Sequence, residues 1–264
     1  MNLKNVFLII CLAFISEGYS WWDEGHSLVC NKAANLMSTD TSANLFSILE
    51  SDDYGEGCVW PDVIKQVERR ETRPWHYINS PPGKDLITPE ACPEKGCLMR
   101  AYEEQLSLLR TGNDAEKKDA VRFIGHFVAD IHQPLHTGFG YDRGGNDHLL
   151  TLQGKKKSNM HSIWDGQILE FLYKRHGKKD VHKKIDDLAK KYKRSLNYSD
   201  DVYPWINESR KIAVSDSVRY LDNRIQNVDE DYLTTHGSIV IDRLALAIAP
   251  VSYTHLTLPT ILLV

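Results

Sequence analysis

The stretch that most restricts what this chain can fold into runs from Asp114 to about residue 131. Ala120, Val121, Ile124, Phe127, Val128 and Ile131 recur there at three- and four-residue spacing, the signature of a helix with one apolar stripe. Asp114 reads as its N-cap. Set into this helix are His126 and Asp130, four residues apart and therefore on one face, where a pair of this kind can chelate one metal ion. Pro134 stops the helix and lets His136 turn to the same side. His161 and Asp165 repeat the His-x-x-x-Asp spacing further on. One such pair is most often a surface hydrogen bond. Two in one chain, with His136 between them, point to a metal site.

The rest of the chain agrees with a helical frame. Helical periodicity also covers residues 26–37, 102–109, 162–173, 181–193, 208–226 and 231–249, with Ser38-Thr39-Asp40 ending the first. Residues 147–152, after Gly144-Gly145-Asn146, carry β-type side chains and read as part of a hairpin. Five prolines make residues 73–94 irregular. No linker divides the chain, so the expected fold is mainly α: a single compact multi-helix domain. Its net charge of -4, from 32 basic and 36 acidic residues, argues against a partner held by bulk positive charge.

Both ends stand apart from that domain. Lys4, the apolar run from Val6 to Ile15 and the small-x-small Gly18-Tyr19-Ser20 have the layout of a secretory signal peptide over residues 1–20. Cleavage there places the protein outside the cell or in the secretory lumen and makes Trp21 the new N-terminus. Cys30, Cys58, Cys92 and Cys97 remain. Four cysteines allow three connectivities, and the short turn-like stretch between Cys92 and Cys97 favours pairing those two, and Cys30 with Cys58. Asn197-Tyr-Ser and Asn207-Glu-Ser are glycosylation sequons. Residues 250–264 carry no charge and two prolines. They fit a terminal strand, a fragment of an anchor, or sequence foreign to the domain, and are too short for a membrane span.

Three further pieces complete a pattern: Trp21-Trp-Asp-Glu-Gly-His26, Trp60-Pro-Asp62 and Trp75-His-Tyr-Ile-Asn79. With the two His-x-x-x-Asp pairs they resemble the secreted, zinc-dependent class I nucleases of fungi and plants, which include the 3'-nucleotidases. By motif the resemblance runs from Trp21 to about Asp165, and the helical remainder to residue 249 fits. It implies a three-zinc cleft in a helical fold similar to that of zinc-dependent phospholipase C. Asp62, His76, His126 and Asp130 would hold the first Zn2+, and His136, His161 and Asp165 the second. The third would be held by the Trp21 amine and carbonyl with His26 and Asp130. Imidazole and carboxylate suit zinc, and an amine can coordinate only when free and neutral.

The same resemblance implies hydrolysis of P–O3' bonds in single-stranded DNA and RNA to 5'-nucleotides, and attack on 3'-nucleotides. Asp62 would orient the attacking water and Lys65 would touch the phosphate. Tyr77 would stack on the base and Asn79 meet its edge, with Gly144 and Asn146 on the opposite wall. Family members often carry Phe and Asp where this chain has Tyr77 and Asn79. Stacking accepts any base, and only an unpaired base enters such a pocket. No stable protein partner and no membrane span in the domain are expected. The competing readings are a zinc-dependent phospholipase C and a non-catalytic secreted zinc-binding protein.

Overall fold

A computed structural model of the protein describes residues 21–196, 199–218, 220 and 225–254. The expected signal peptide, the Asn197 sequon and residues 255–264 lie outside them. The chain is mainly helical, as the periodicity implied. Helix α1 spans Trp22–Leu36, α2 Thr39–Leu49, α3 Tyr54–Val67, α4 Leu98–Thr111 and α5 Asp114–His132. Helix α6 (Met160–Ser162) passes through a π turn (Ile163–Gln167) into α7 (Ile168–His176). Helices α8 (Lys178–Ser195), α9 (Tyr203–Ala213) and α10 (Glu230–Thr254) follow.

Helix α5 is the axis of the core. Every residue from Phe123 to His132 is buried, and α5 packs against α1, α3, α4, α9 and α10. Burial on all sides explains why two metal-binding side chains on it can be kept from bulk water. Its N-cap is Asn113, one residue before the expected Asp114. The Asn113 side chain accepts from the Glu116 amide, and the Glu116 carboxylate accepts from the Asn113 amide, a capping box.

Other boundaries also moved. Helices α2 and α3 were not anticipated. Ser38 does end the first helix, but as the N-cap of α2, its hydroxyl accepting from the Thr41 amide. The expected helix 208–226 is instead α9, which begins at Tyr203 and stops at Ala213. Ser215 then bonds back to the Ile212 carbonyl and to Ser217. Hydroxyls that bond locally offer the backbone an alternative to the helix. The hairpin formed where expected: β1 (Leu149–Leu152) pairs antiparallel with β2 (Lys156–Asn159), and β3 (Asn227–Val228) adds parallel to β1. Lys156 and Lys157 lie exposed on β2, and the α8 lysines 178, 179, 183 and 184 form an exposed face.

Helix α10 passes the expected boundary at residue 249 and carries Pro250 to Thr254, with Val251 and Ser252 buried. A terminal strand is therefore excluded for residues 250–254. Among the described residues, no helix is long and apolar enough to cross a membrane. The disulfides pair Cys30 with Cys58 and Cys92 with Cys97, as expected.

Candidate metal centre

The Cys30–Cys58 bridge ties α1 to α3 directly beneath α5. A β-carbon on Gly125 would stand 2.5 Å from the Cys58 sulfur and 2.7 Å from that of Cys30, so only glycine lets the bridge approach the helix at this level. The next residue is His126. Its Nδ1 sits 2.7 Å from the Cys58 carbonyl oxygen, which leaves Nε2 to face inward. Local packing thus orients the imidazole before any ligand is considered.

Around His126 the ligand residues of the first half converge. Its Nε2 lies 3.1 Å from Asp130 Oδ2 and 3.5 Å from Asp62 Oδ1. His76, delivered by the 3-10 turn Arg70–His76, places Nδ1 3.2 Å from Asp130 and 3.4 Å from Asp62. His26 on α1 stacks on His126 and lies 3.4 Å from Asp130 Oδ1. Trp21 is buried at the head of α1, its indole donating to the Ala129 carbonyl at 2.8 Å, and its backbone N–H bonds the Asp165 carboxylate. Lys65, one turn along α3 from Asp62, is buried and donates to Asp62 Oδ1.

The second half is built from a turn and the π segment. Pro134–Thr137 is a 3-10 turn after α5, and His136 on it lies 3.4 Å from Asp130 and 3.9 Å from Asp165. His161 and Asp165 are 3.3 Å apart. The Nδ1 atoms of His136 and His161 meet the carbonyls of His76 and Gly144 at 2.5 and 2.8 Å. Bonding one imidazole nitrogen to the backbone fixes ring orientation and frees the other for a metal. Gln133 escaped sequence reasoning. It donates to Asp165 Oδ1 and accepts from the Leu135 amide. Its place beside Pro134, between ligands, was the only available signal.

Three groups can each hold a metal ion: His26, Asp62 and His126; His76, His126 and Asp130; and His136, His161 and Asp165. The first joins His26 to Asp62 and His126, where a Trp21–His26–Asp130 set was expected. All these side chains belong to one cluster, and Asp130 reaches both halves. His26 Nδ1 and Nε2, His76 Nε2, Asp62 Oδ2 and Asp165 Oδ2 are buried without a hydrogen-bond partner among the described residues. Unpaired buried polar atoms are costly, and so many converging in one cluster fit a set of metal ligands.

The electrostatics agree. Burial holds His26 and His136 down to about 3 and His76 to about 4, so these imidazoles are neutral, the ligating form. Burial also opposes charge on Asp62 and Asp130, but Lys65 and His126 beside Asp62, and His126 with its hydrogen bond beside Asp130, outweigh it and hold both below the usual carboxylate range. Burial similarly opposes a proton on His126, yet Asp130 and Asp62 raise its pKa. The two carboxylates thus demand a cation at this point. Burial pushes Asp165 up to about 6.

Beside the second half the Gly144 turn meets the segment that carries Tyr77 and Asn79. Gly144, at φ +65°, turns its backbone past Asn79, whose Oδ1 is buried without a partner among the described residues. Tyr77 is exposed. Tyr220 donates to Asp142, which accepts from the Gly145 amide and so holds the glycine turn. Asn146 closes its own loop by donating to the Arg143 carbonyl. His132, which lies between the ligand residues in sequence, is bonded to the Val128 carbonyl and tilted against Trp205. Asn207, the described sequon, uses both amide atoms on Ile87 and is half-buried.

Similarity to known proteins converges on the same reading. The profile of the S1/P1 Nuclease family matches residues 21–249. Endonuclease 1 of Arabidopsis thaliana is 30% identical over 92% of this chain and 88% of its own length. Nuclease S1 of Aspergillus oryzae is 30% identical over 60% and 58% of the two chains, and nuclease P1 of Penicillium citrinum 28% over 70% and 72%. The chain belongs to the S1/P1 nuclease family and is a hydrolase of nucleic acids.

Proposed function

We propose that the protein is a secreted, zinc-dependent nuclease that cleaves P–O3' bonds of single-stranded DNA and RNA to 5'-nucleotides and also acts on 3'-nucleotides. The observation that carries this is the set of unpaired, buried ligand atoms beside Asn79 and the Gly144 turn, which would line a recess for the base. Asp62, His76, His126 and Asp130 would hold one ion and His136, His161 and Asp165 a second. Trp21, His26 and Asp130 would hold a third. Zinc, when bound, supplies Lewis acidity: positive charge against phosphate oxygens and water of lowered pKa.

The chain's own residues do the rest. Lys65 occupies Asp62 Oδ1, so Oδ2 is the atom that orients water for attack. The Lys65 ammonium adds positive charge on the phosphate side. Tyr77 offers an exposed ring for stacking, and Asn79 Oδ1 accepts from an N–H on the base edge. An amide both donates and accepts, so Asn79 tolerates more than one base. The recess admits a base only after it leaves a duplex, which selects single strands.

Zinc analysis with EDTA treatment tests this reading. Three zinc ions per chain and loss of cleavage of single-stranded DNA, RNA and 3'-AMP on chelation are expected, with phosphatidylcholine untouched. Activity that survives EDTA would defeat it. One residue added before Trp21 is expected to lower both activity and zinc content sharply; full values of both would exclude the amine as a ligand.

A further inference from the structure

Arg210 is the largest buried charge that the metal cleft does not use. It lies on α9 with no exposed surface and no carboxylate bonded to it among the described residues. Its guanidinium instead serves backbone carbonyls alone. Nε donates to Lys84 O at 3.1 Å. One terminal nitrogen donates to Thr137 O at 2.8 Å and Gly138 O at 2.7 Å, the other to Pro81 O at 3.2 Å and Lys84 O at 2.8 Å. The plane also lies 4.7 Å over the Phe139 ring. A guanidinium has five N–H donors in a fixed fork, and here each has an acceptor.

The two segments so joined are the one that carries Asn79 and the one that leads to the Gly144 turn. Pro81–Lys84 continues from Tyr77 and Asn79. Thr137–Gly138 continues from His136 and leads through Phe139 to the Gly144 turn, whose amide bonds the Phe139 carbonyl at 2.8 Å. The segments already run side by side, Ile78 bonding to His136 O at 2.8 Å and Ser80 to Gly138 O at 3.0 Å. Asn207, one turn earlier on α9, pins Ile87 on the same loop. Burial disfavours the Arg210 charge and only Asp85 offsets this among the described carboxylates, so its role is not one of charge pairing. What it supplies is geometry: it holds the segment that carries Asn79 against the one that leads to the Gly144 turn.

We propose that Arg210 is a positioning residue for nucleoside recognition, fixing from behind how Asn79 sits against the Gly144 turn while leaving the metal ligands alone. The proposal rests on the nuclease reading above. Three substrates separate the two: 3'-AMP, single-stranded DNA and bis(4-nitrophenyl) phosphate, a diester without a base. In the zinc-loaded enzyme, Arg210→Met is expected to raise KM for 3'-AMP by about tenfold to a hundredfold, as a displaced contact does. Its kcat, its zinc content and its rate on the baseless diester should stay within about twofold. Arg210→Lys, which keeps charge but loses the fork, should lie between. Asn207→Ala should show the same selectivity more weakly.

Equal losses on 3'-AMP and the baseless diester, or no change on either, would overturn the proposal. So would failure of both Arg210 variants to fold, since Arg210 would then serve folding and not recognition. An unaltered enzyme inactive on 3'-AMP and single-stranded DNA would defeat the nuclease reading itself.

Discussion

The metal cleft is held from two sides by unlike means. On one side, α1, α3 and α5 present His26, Asp62, His126 and Asp130 from regular helices, with the Cys30–Cys58 bridge fixed beneath them. On the other, His136 comes from a 3-10 turn and His161 and Asp165 from a short helix entering a π turn. No disulfide braces that side among the described residues; hydrogen bonds from Gln133 and Tyr220 do. Helices set ligand spacing by their own repeat, so the first side needs only to be packed. Turns have no repeat, so each ligand on the second side needs its own tether. Short helical pieces joined through a π bulge are common at functional sites, and here the bulge carries Asp165.

Asp130 is where the two sides meet, so its removal is the largest break. It lies within 3.4 Å of His26, His76, His126 and His136. Asp130→Ala is expected to cost on the order of a thousandfold or more in kcat/KM on single-stranded DNA and to empty more than one metal position. His161→Ala should empty only the second-side position. Metal content of the two purified variants makes the comparison, and equal losses would show that the sides are not separable.

The bridges come next. In the chain-entropy picture, Cys30–Cys58, whose partners are 28 positions apart in sequence, contributes about 3–4 kcal/mol and the short Cys92–Cys97 loop about 2 kcal/mol. Replacing each pair by serine and following urea unfolding checks the order. The first replacement should also loosen His126, whose Nδ1 rests on Cys58 O, and lower metal affinity. The second should leave metal affinity unchanged. Gln133→Ala is a gentler probe of the turn side. Losing a group that orients a ligand typically weakens metal binding by about 10–100-fold, and the loss should fall on the His136–His161–Asp165 position alone.

This contrast also explains what the sequence disclosed. Spacing exposed His126 with Asp130 and His161 with Asp165 because four residues return to one face of a helix. The disulfides followed from the small loop at Cys92 and Cys97. Resemblance was needed for Trp21, Asp62 and His76, since separate elements bring them to the cleft from positions that no local period links. Gln133, Tyr220 and Arg210 stayed hidden because a tether is defined by the carbonyls and side chains that it meets, which only the folded chain brings near. The end of α9 at Ala213 was hidden for a related reason, since the Ser215 hydroxyl competes for the backbone there only through the bonds it makes to Ile212 O and Ser217.

The smallest expected effect lies at the far end of the central helix. Asn113 and Glu116 cap α5 reciprocally, and His126 stands 13 residues further on, about 20 Å along the axis at 1.5 Å per residue. Asn113→Ala removes an exposed cap and should cost about 1 kcal/mol of stability. The segment from Phe123 to His132 is held by burial on every side and by the bridge under Gly125, so fraying at residue 114 has no path to the ligands. KM, kcat and zinc content should therefore match the unaltered enzyme while the urea midpoint falls. A change in metal affinity would mean that the helix side is positioned by α5 as a whole, in which case regular helices and tethered turns would be less different than their geometry implies.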